Sequence, residues 1–227
     1  MVGFSRTSDF LNLLHLVSMS KNSELEESSR IVFPWEMAST WITALSLRQE
    51  ADLNTSTGDH DGGWVKPPLG FVKCNIGSSW LGSNQISGAA SAWILRDEKG
   101  KTLVHSRRCY SYMQSKTESE LWSMLWAVES MYFLHKTNVI FEASSEGTRE
   151  VLTNPTLFPQ FSRIIHTIQS YLSEIEMWSI DHCRPNRNEA AEAIAVSVTR
   201  DHRHQSYIAC NAPVWLHHLL VLEAQAK

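Results

Sequence analysis

The chain has 227 residues, of which 43% are hydrophobic and 19% charged, proportions that exclude wholesale disorder. Lysine and arginine number 20 against 24 aspartate and glutamate residues, so the formal net charge is -4. This balance argues against a strongly basic nucleic-acid-binding protein, although it permits a local basic groove. The best apolar run, residues 10–19, is too short to span a membrane, so we predict no membrane association.

Four cysteines are spread along the chain without a CxxC pair, namely Cys74, Cys109, Cys183 and Cys210. This spacing is typical of reduced thiols in an intracellular protein, in the nucleus or the cytoplasm, rather than of a disulfide framework. The histidines near the last two cysteines, His182, His202 and His204, do not complete a standard zinc-binding spacing.

Composition divides the chain into three parts. The predicted parts are an N-terminal extension with its linker (1–63), a domain of regular elements (64–201) and a C-terminal tail (202–227). The extension contains two apolar stretches that suit short helices, at residues 10–17 and 33–47. The linker, from residue 54 onward, is small, polar and turn-forming.

The predicted domain contains nine elements in chain order. Its pattern predicts strands at 71–78, 88–96 and 101–110, a long helix at 116–135, a strand at 139–143, helices at 147–153 and 161–172, a strand at 177–182 and a helix at 188–200. A turn joins the second and third strands, because Asp97 favours turn initiation and Gly100 accepts a positive φ. This order predicts an α/β fold with a five-stranded mixed sheet, helices on both faces, and the first strand central between the second and the fourth.

Several motifs within this order resemble the ribonuclease H-like domain of plant non-LTR retroelement proteins. They are Trp64-x-x-Pro67-Pro68-x-Gly70-x-x-Lys73-x-Asn75, Ile94-Leu95-Arg96-Asp97-x-x-Gly100, Glu118-Ser119-Glu120-Leu121 and Arg184-x-x-x-Asn188-x-x-Ala191-Glu192-x-Ile194-Ala195. In the extension, Arg30-x-x-Phe33-Pro34-Trp35 resembles the segment that joins such a domain to an upstream reverse transcriptase. The resemblance implies a ribonuclease H-like fold and, as activity, Mg²⁺-dependent cleavage of RNA in RNA–DNA hybrids.

In the family that the chain resembles, acidic groups at four places hold two Mg²⁺ ions. Two divalent cations about 4 Å apart repel each other strongly, so the site must supply compensating carboxylates. The resemblance puts these four places at Gly77, Glu120, Ser144 and Glu192. Gly77 has no ligand atom, and the neutral hydroxyl of Ser144 is a poor ligand for Mg²⁺. We therefore expect the remnant carboxylates, Glu120 and Glu192, to bind Mg²⁺ weakly or not at all.

Two other acidic residues lie near the vacated position on the fourth strand. Glu142 shares the strand parity of Ser144, and Glu146 lies just beyond the strand end. Neither restores the ligand that is missing from the first strand. We expect instead that Gly77→Asp together with Ser144→Asp raises the affinity for Mg²⁺.

Structural roles compete with these functional ones. Glu120 with Thr117, like Glu118 with Ser115, has the spacing of a capping box, and Glu192 suits the first turn of a helix. Small basic clusters are either solvated surface or the lining of a phosphate-binding groove, at 107–108, 184–187 and 200–204. Trp80 at the end of the first strand is a candidate for stacking on a base.

Three functions follow from this sequence. The first is a degenerate ribonuclease H-like domain that binds an RNA–DNA hybrid or duplex without cleaving it. The second is an active ribonuclease H, and the third is a domesticated protein-interaction module that uses the fold and the apolar extension. The vacated positions Gly77 and Ser144 favour the first over the second, whereas the net charge slightly favours the third over the first.

Overall fold

The computed structural model describes residues 63–82, 88–201 and 204–225. The described elements are β1 (Val72–Leu81), β2 (Gly88–Arg96), β3 (Thr102–Ser111), α1 (Lys116–Phe133), β4 (Asn138–Ala143), α2 (Glu146–Thr153), α3 (Ser162–Leu172), β5 (Met177–His182), α4 (Glu189–Thr199), β6 (Tyr207–Cys210) and α5 (His217–Gln225). The helices predicted in the N-terminal extension lie outside the described residues. Within the described ranges, no helix has the length and apolar character needed to cross a membrane.

The strands form a single mixed sheet in the order β5-β4-β1-β2-β3-β6. β1 pairs antiparallel with β2 and parallel with β4, and β4 pairs parallel with β5. The predicted α/β class and the central position of the first strand are therefore confirmed. Because β1 and β4 are parallel neighbours, their carboxyl ends meet at the same end of the sheet.

The predicted number of strands, five, is wrong, because the described sheet has six. The sixth strand, β6, has only four residues and pairs antiparallel with residues 104–107 of β3. A strand this short has no readable alternation, and its pairing depends on the edge that β3 offers. The described part of the predicted tail, 204–225, thus supplies a strand and a helix to the fold.

The helices cover both faces of the sheet. Trp93 and Leu95 of β2 pack in the core cluster that includes α1 and α3. Ala92 and Ile94 pack on the opposite face against α4 and α5, because successive side chains of a strand alternate. Small residues of α4 such as Ala191 line this contact, and they allow the helix backbone to approach the sheet closely.

The turn between β2 and β3 forms as predicted. The carboxylate of Asp97 accepts hydrogen bonds from the main-chain nitrogens of Lys99 (3.0 Å) and Lys101 (2.8 Å). Gly100 has a φ of 82°, a conformation that glycine adopts without a steric penalty. Since Lys73 pairs with Arg96, this turn lies at the amino end of β1, away from the carboxyl ends of β1 and β4.

Candidate functional site

The structure brings the four predicted positions together at the carboxyl end of β4, beside the middle of β1. The hydroxyl of Ser144, just after β4, donates a hydrogen bond of 2.7 Å to Glu192 on α4. The main-chain nitrogen of Ser78, the residue after Gly77, lies 3.4 Å from the other oxygen of Glu192. Glu120 on α1 lines the same pocket as Ser144 and Glu192. The geometry places these residues side by side, and their functional roles stay a prediction.

The pocket between α1, β1, β4 and α4 has a volume of about 250 Å³, and five of its twelve lining residues carry a hydroxyl group. Its residues are Ile76, Ser78, Lys116, Glu120, Ser123, Met124, Ala143, Ser144, Ser145, Thr148, Pro185 and Glu192. Hydroxyl groups can donate to a carboxylate or a phosphate, but they add no negative charge for a divalent cation.

Gly77 lies directly under the first turn of α4. A Cβ atom at this position would overlap the carbonyl group of Ala191 and would lie 2.7 Å from the main-chain nitrogen of Glu192. Both neighbours are backbone atoms, so no side-chain rotation can make room for the added atom. The backbone of α4 therefore occupies the space that a Cβ atom at position 77 would need. The predicted gain in Mg²⁺ affinity from Gly77→Asp together with Ser144→Asp therefore requires α4 to shift away from β1.

Glu192 is partly buried and accepts hydrogen bonds on both carboxylate oxygens. The amide of Asn188 donates to the oxygen that also accepts from Ser144, at 3.2 Å. Asn188 itself is fully buried and is fixed by a second hydrogen bond, of 2.8 Å, to the carbonyl of Ile76. Burial raises the pKa of Glu192, and this effect outweighs the hydrogen bonds from Ser144, Ser78 and Asn188, which lower it.

Glu120 reaches into the pocket instead of capping its own helix. The hydroxyl of Ser145 donates to Glu120 at 2.5 Å, and the exposed ammonium of Lys116 lies 3.6 Å from the other carboxylate oxygen. The cap of α1 is formed by Ser115, which accepts from the main-chain nitrogen of Glu118. The alternative that Glu120 caps α1 is therefore wrong.

The donors around the pocket do not fit a pair of divalent cations. Two carboxylates face the pocket, and each already accepts hydrogen bonds from serine. Glu142 is turned to the α4 side of the sheet, where it forms an ion pair of 2.9 Å with Lys73. Glu146 is exposed at the start of α2 and does not line the pocket. In the described part of the chain, no group of three or more His, Cys, Asp or Glu side chains is arranged to hold a metal.

The basic clusters differ in their relation to the pocket. The guanidinium of Arg107 lies 4.7 Å from the centre of the Tyr207 ring. The guanidinium of Arg108 lies 4.4 Å from the centre of the ring of Trp126, a residue of α1. Since these neighbouring arginines point to opposite faces of β3, they do not line one groove. The exposed Arg184, by contrast, directly precedes Pro185 at the pocket wall.

Trp80, the predicted candidate for stacking on a base, has its indole nitrogen tied to the main chain. It is partly buried, and its indole nitrogen donates to the carbonyl of Met113 at 3.3 Å. The more open aromatic side chains of this region are Tyr112, 86% exposed, and Trp122, 37% exposed.

Sequence reasoning missed the structural role of the motif residues themselves. The carbonyl oxygen of the Asn75 side chain accepts hydrogen bonds from Trp64 (2.7 Å) and Arg96 (2.8 Å). Its amide donates to Glu142 at 2.7 Å, and Arg96 is ion-paired with Glu223 on α5. The shared parity of Lys73 and Asn75 in one motif was a signal that both face the same side of the sheet. These residues thus form a buried polar network that joins the strands to α5.

We expect Glu192→Gln to remove a pH dependence of stability. Because the pKa of Glu192 is raised by folding, the folded protein keeps this proton to a higher pH than the unfolded chain. The resulting stabilisation is fully present below the ordinary value of 4.5 and is lost as the pH rises through the raised pKa. The free energy of unfolding of the wild type minus that of the variant should therefore fall with increasing pH, as urea denaturation measures. If the difference between the two free energies of unfolding does not change with pH, the raised pKa does not belong to Glu192. Glu150→Gln, at an exposed glutamate, serves as the control.

Comparisons with known proteins agree with this architecture. The sequence model of the reverse transcriptase-like family matches residues 77–198, more than half of the chain. No curated protein sequence matches the chain significantly.

Two solved structures are similar in fold. RNase H1 from the halophilic archaeon Halobacterium salinarum NRC-1 is 21% identical, with a TM-score of 0.52 over 58% of this chain and 99% of that chain. The N-terminal RNase H domain of a Mycobacterium tuberculosis protein is 12% identical, with a TM-score of 0.50 over 58% of this chain and 94% of that chain. At these identities the similarity establishes the ribonuclease H-like fold alone.

Proposed function

Because the chain belongs to the reverse transcriptase-like family, we propose that it binds an RNA–DNA hybrid or duplex nucleic acid without cleaving it. The substrate class is supported by the motifs that resemble the ribonuclease H-like domain and by the fold that the chain shares with the archaeal RNase H1. The same motifs and the family support an origin from a retroelement of the plant non-LTR type.

The observation that carries the absence of cleavage is the contact between Gly77 and α4. The backbone of Ala191 leaves no space for any side chain at position 77. A site that holds two divalent cations needs several carboxylates, whereas Glu120 and Glu192 supply a charge of only about -2 against +4. The serine hydroxyls that donate to both carboxylates stabilise them by hydrogen bonds without a metal ion.

The charges at the mouth of the pocket support binding to a phosphate backbone. Lys116 lines the pocket and its side chain is 75% exposed, so the ammonium is available to a ligand. Arg184 is exposed and directly precedes Pro185, which lines the same pocket. Contacts of this kind position a nucleic acid without reading its sequence. They weaken as the salt concentration rises, because the release of counterions then contributes less free energy to binding.

We expect the full chain to leave a labelled RNA–DNA hybrid intact in Mg²⁺ or Mn²⁺ and to bind it in a salt-dependent way. Glu120→Gln should leave the cleavage assay at background, because this carboxylate has no metal to hold. Lys116→Glu combined with Arg184→Glu should weaken binding by about tenfold, since two phosphate contacts become repulsive. A cleavage assay and a fluorescence anisotropy titration at two salt concentrations measure both properties.

The control is Lys99→Glu combined with Lys101→Glu, which makes the same charge change at the exposed β2–β3 turn, on the end of the sheet away from the pocket. It should leave binding unchanged. Cleavage by the wild type that Glu120→Gln abolishes would establish an active ribonuclease H instead. Failure to bind either hybrid or duplex would overturn the proposal in favour of a protein-interaction module.

A further inference from the structure

The outer side of α5 is an apolar surface within the described structure. Four exposed apolar side chains, called here the α5 apolar face, lie on α5 and on the 3-10 turn that leads into it. They are Val214 (91% exposed) and Trp215 (49%) in the turn, and Val221 (38%) and Leu222 (53%) on the helix. Leu216 and Leu220 face the other way and pack in the core. Contiguous exposed apolar side chains of this kind mark an interaction surface.

The N-terminal part of the chain joins the described structure beside this helix. A Cβ atom built on Gly100 would lie 3.3 Å from the ring of Trp64 and 3.0 Å from the Cβ of Ala224 on α5. Arg96, 3.5 Å from the centre of the Trp64 ring, is ion-paired with the same helix. The first described residues, 63–64, therefore lie within about one side chain's width of α5.

The sequence of this N-terminal part offers a matching apolar stripe. Ala38, Trp41, Ile42 and Leu45 follow the i, i+3, i+4, i+7 spacing of one helix face. Fifteen residues separate Leu47 from Gly63, and a chain of that length reaches up to about 50 Å, several times the length of α5. A short tether gives an effective concentration on the order of millimolar, so weak intrinsic affinity is enough for docking.

We propose that residues 33–47 dock on the α5 apolar face, with the stripe packed against Trp215 and Leu222. Burial of two apolar helix faces against each other is the ordinary way in which amphipathic segments are stabilised. α5 contacts Gly100 in the β2–β3 turn, which lies at the opposite end of the sheet from the pocket. Docking therefore joins the extension to the domain and leaves the mouth of the pocket open.

Photo-crosslinking in the full chain tests this contact. Leu222 is replaced by p-benzoylphenylalanine, the sample is irradiated, and the adducts are mapped by mass spectrometry. We expect adducts with residues 33–47 of the same molecule. Ile42→Asp should lower their yield by about tenfold, because a charge replaces one buried apolar side chain of the stripe. Thr40→Asp, on the opposite side of the predicted helix, should leave the yield unchanged.

Two controls separate this contact from other occupants of the face. The same crosslinker at Leu157, which is 68% exposed on another part of the surface, should give no adduct with residues 33–47. A mixture of isotopically heavy and light chains distinguishes contacts within one molecule from contacts between two. Heavy–light adducts would assign the face to a second copy and overturn the proposal. Adducts elsewhere in the chain, or a yield that Ile42→Asp does not change, would overturn it as well.

Discussion

Gly77→Asp is expected to destabilise the protein by about 3 kcal/mol, the upper end of the usual cost of overpacking. The added Cβ would overlap the backbone of Ala191, so α4 would have to move away from β1. The new carboxylate would also approach Glu192, a partly buried acid whose pKa is already raised by burial. Urea denaturation of the variant and the wild type at one pH measures the loss.

Gly77→Ala is the matched control for this prediction, because it adds the same Cβ without a charge. It should lose most of the stability that Gly77→Asp loses. Ser144→Asp should be tolerated better, since Ser144 is only partly buried at the pocket wall. A Gly77→Asp variant as stable as the wild type, or stabilised by millimolar Mg²⁺, would show that α4 moves readily and that the metal site can be rebuilt.

Glu223→Ala is expected to cost about 3–5 kcal/mol, because it removes the ion-pair partner of a buried guanidinium. Arg96 is 0% exposed, and it would keep only the hydrogen bond to Asn75 and the stacking on Trp64. Burial lowers the pKa of Arg96, whereas the carboxylate of Glu223 raises it and so stabilises the charged guanidinium. Loss of the pair should also weaken the packing of α5 on the sheet.

The double variant Arg96→Met with Glu223→Met separates the buried charge from the lost contact. Removal of both charges should cost clearly less than Glu223→Ala alone, because no unpaired ion remains in the interior. Hydrogen exchange of the α5 amides shows whether the helix undocks in either variant. A double variant that is less stable than Glu223→Ala would contradict the account, since the pair would then contribute through packing alone.

The polar network around Asn75 changes the meaning of the motifs that first indicated the family. Four residues of these motifs lie in one buried network, namely Trp64, Lys73, Asn75 and Arg96. Asn75 bonds to Trp64 and Arg96, and Glu142 links Asn75 to Lys73. Their function in this chain is to connect β1, β2 and β4 with α5. A similarity that rests on such residues indicates the fold more directly than the activity.

The sequence by itself determined the order of the elements and the central place of β1. Strand and helix periodicities, the Ser115 cap of α1 and the turn at Asp97 depend on residues close together in the chain, so local patterns are enough to predict them. It also located Gly77 and Ser144 as positions without a carboxylate, because residue identity needs no coordinates.

Only the tertiary structure decided what surrounds these positions. β6 forms because β3 offers an edge, and its four residues carry no strong pattern of their own. The partners of Glu192 come from β1, β4 and the start of α4, regions that are distant in sequence. The overlap that a side chain at Gly77 would meet depends on how closely α4 approaches the sheet. That distance is set by the packing of small side chains between two layers, and no local pattern encodes it.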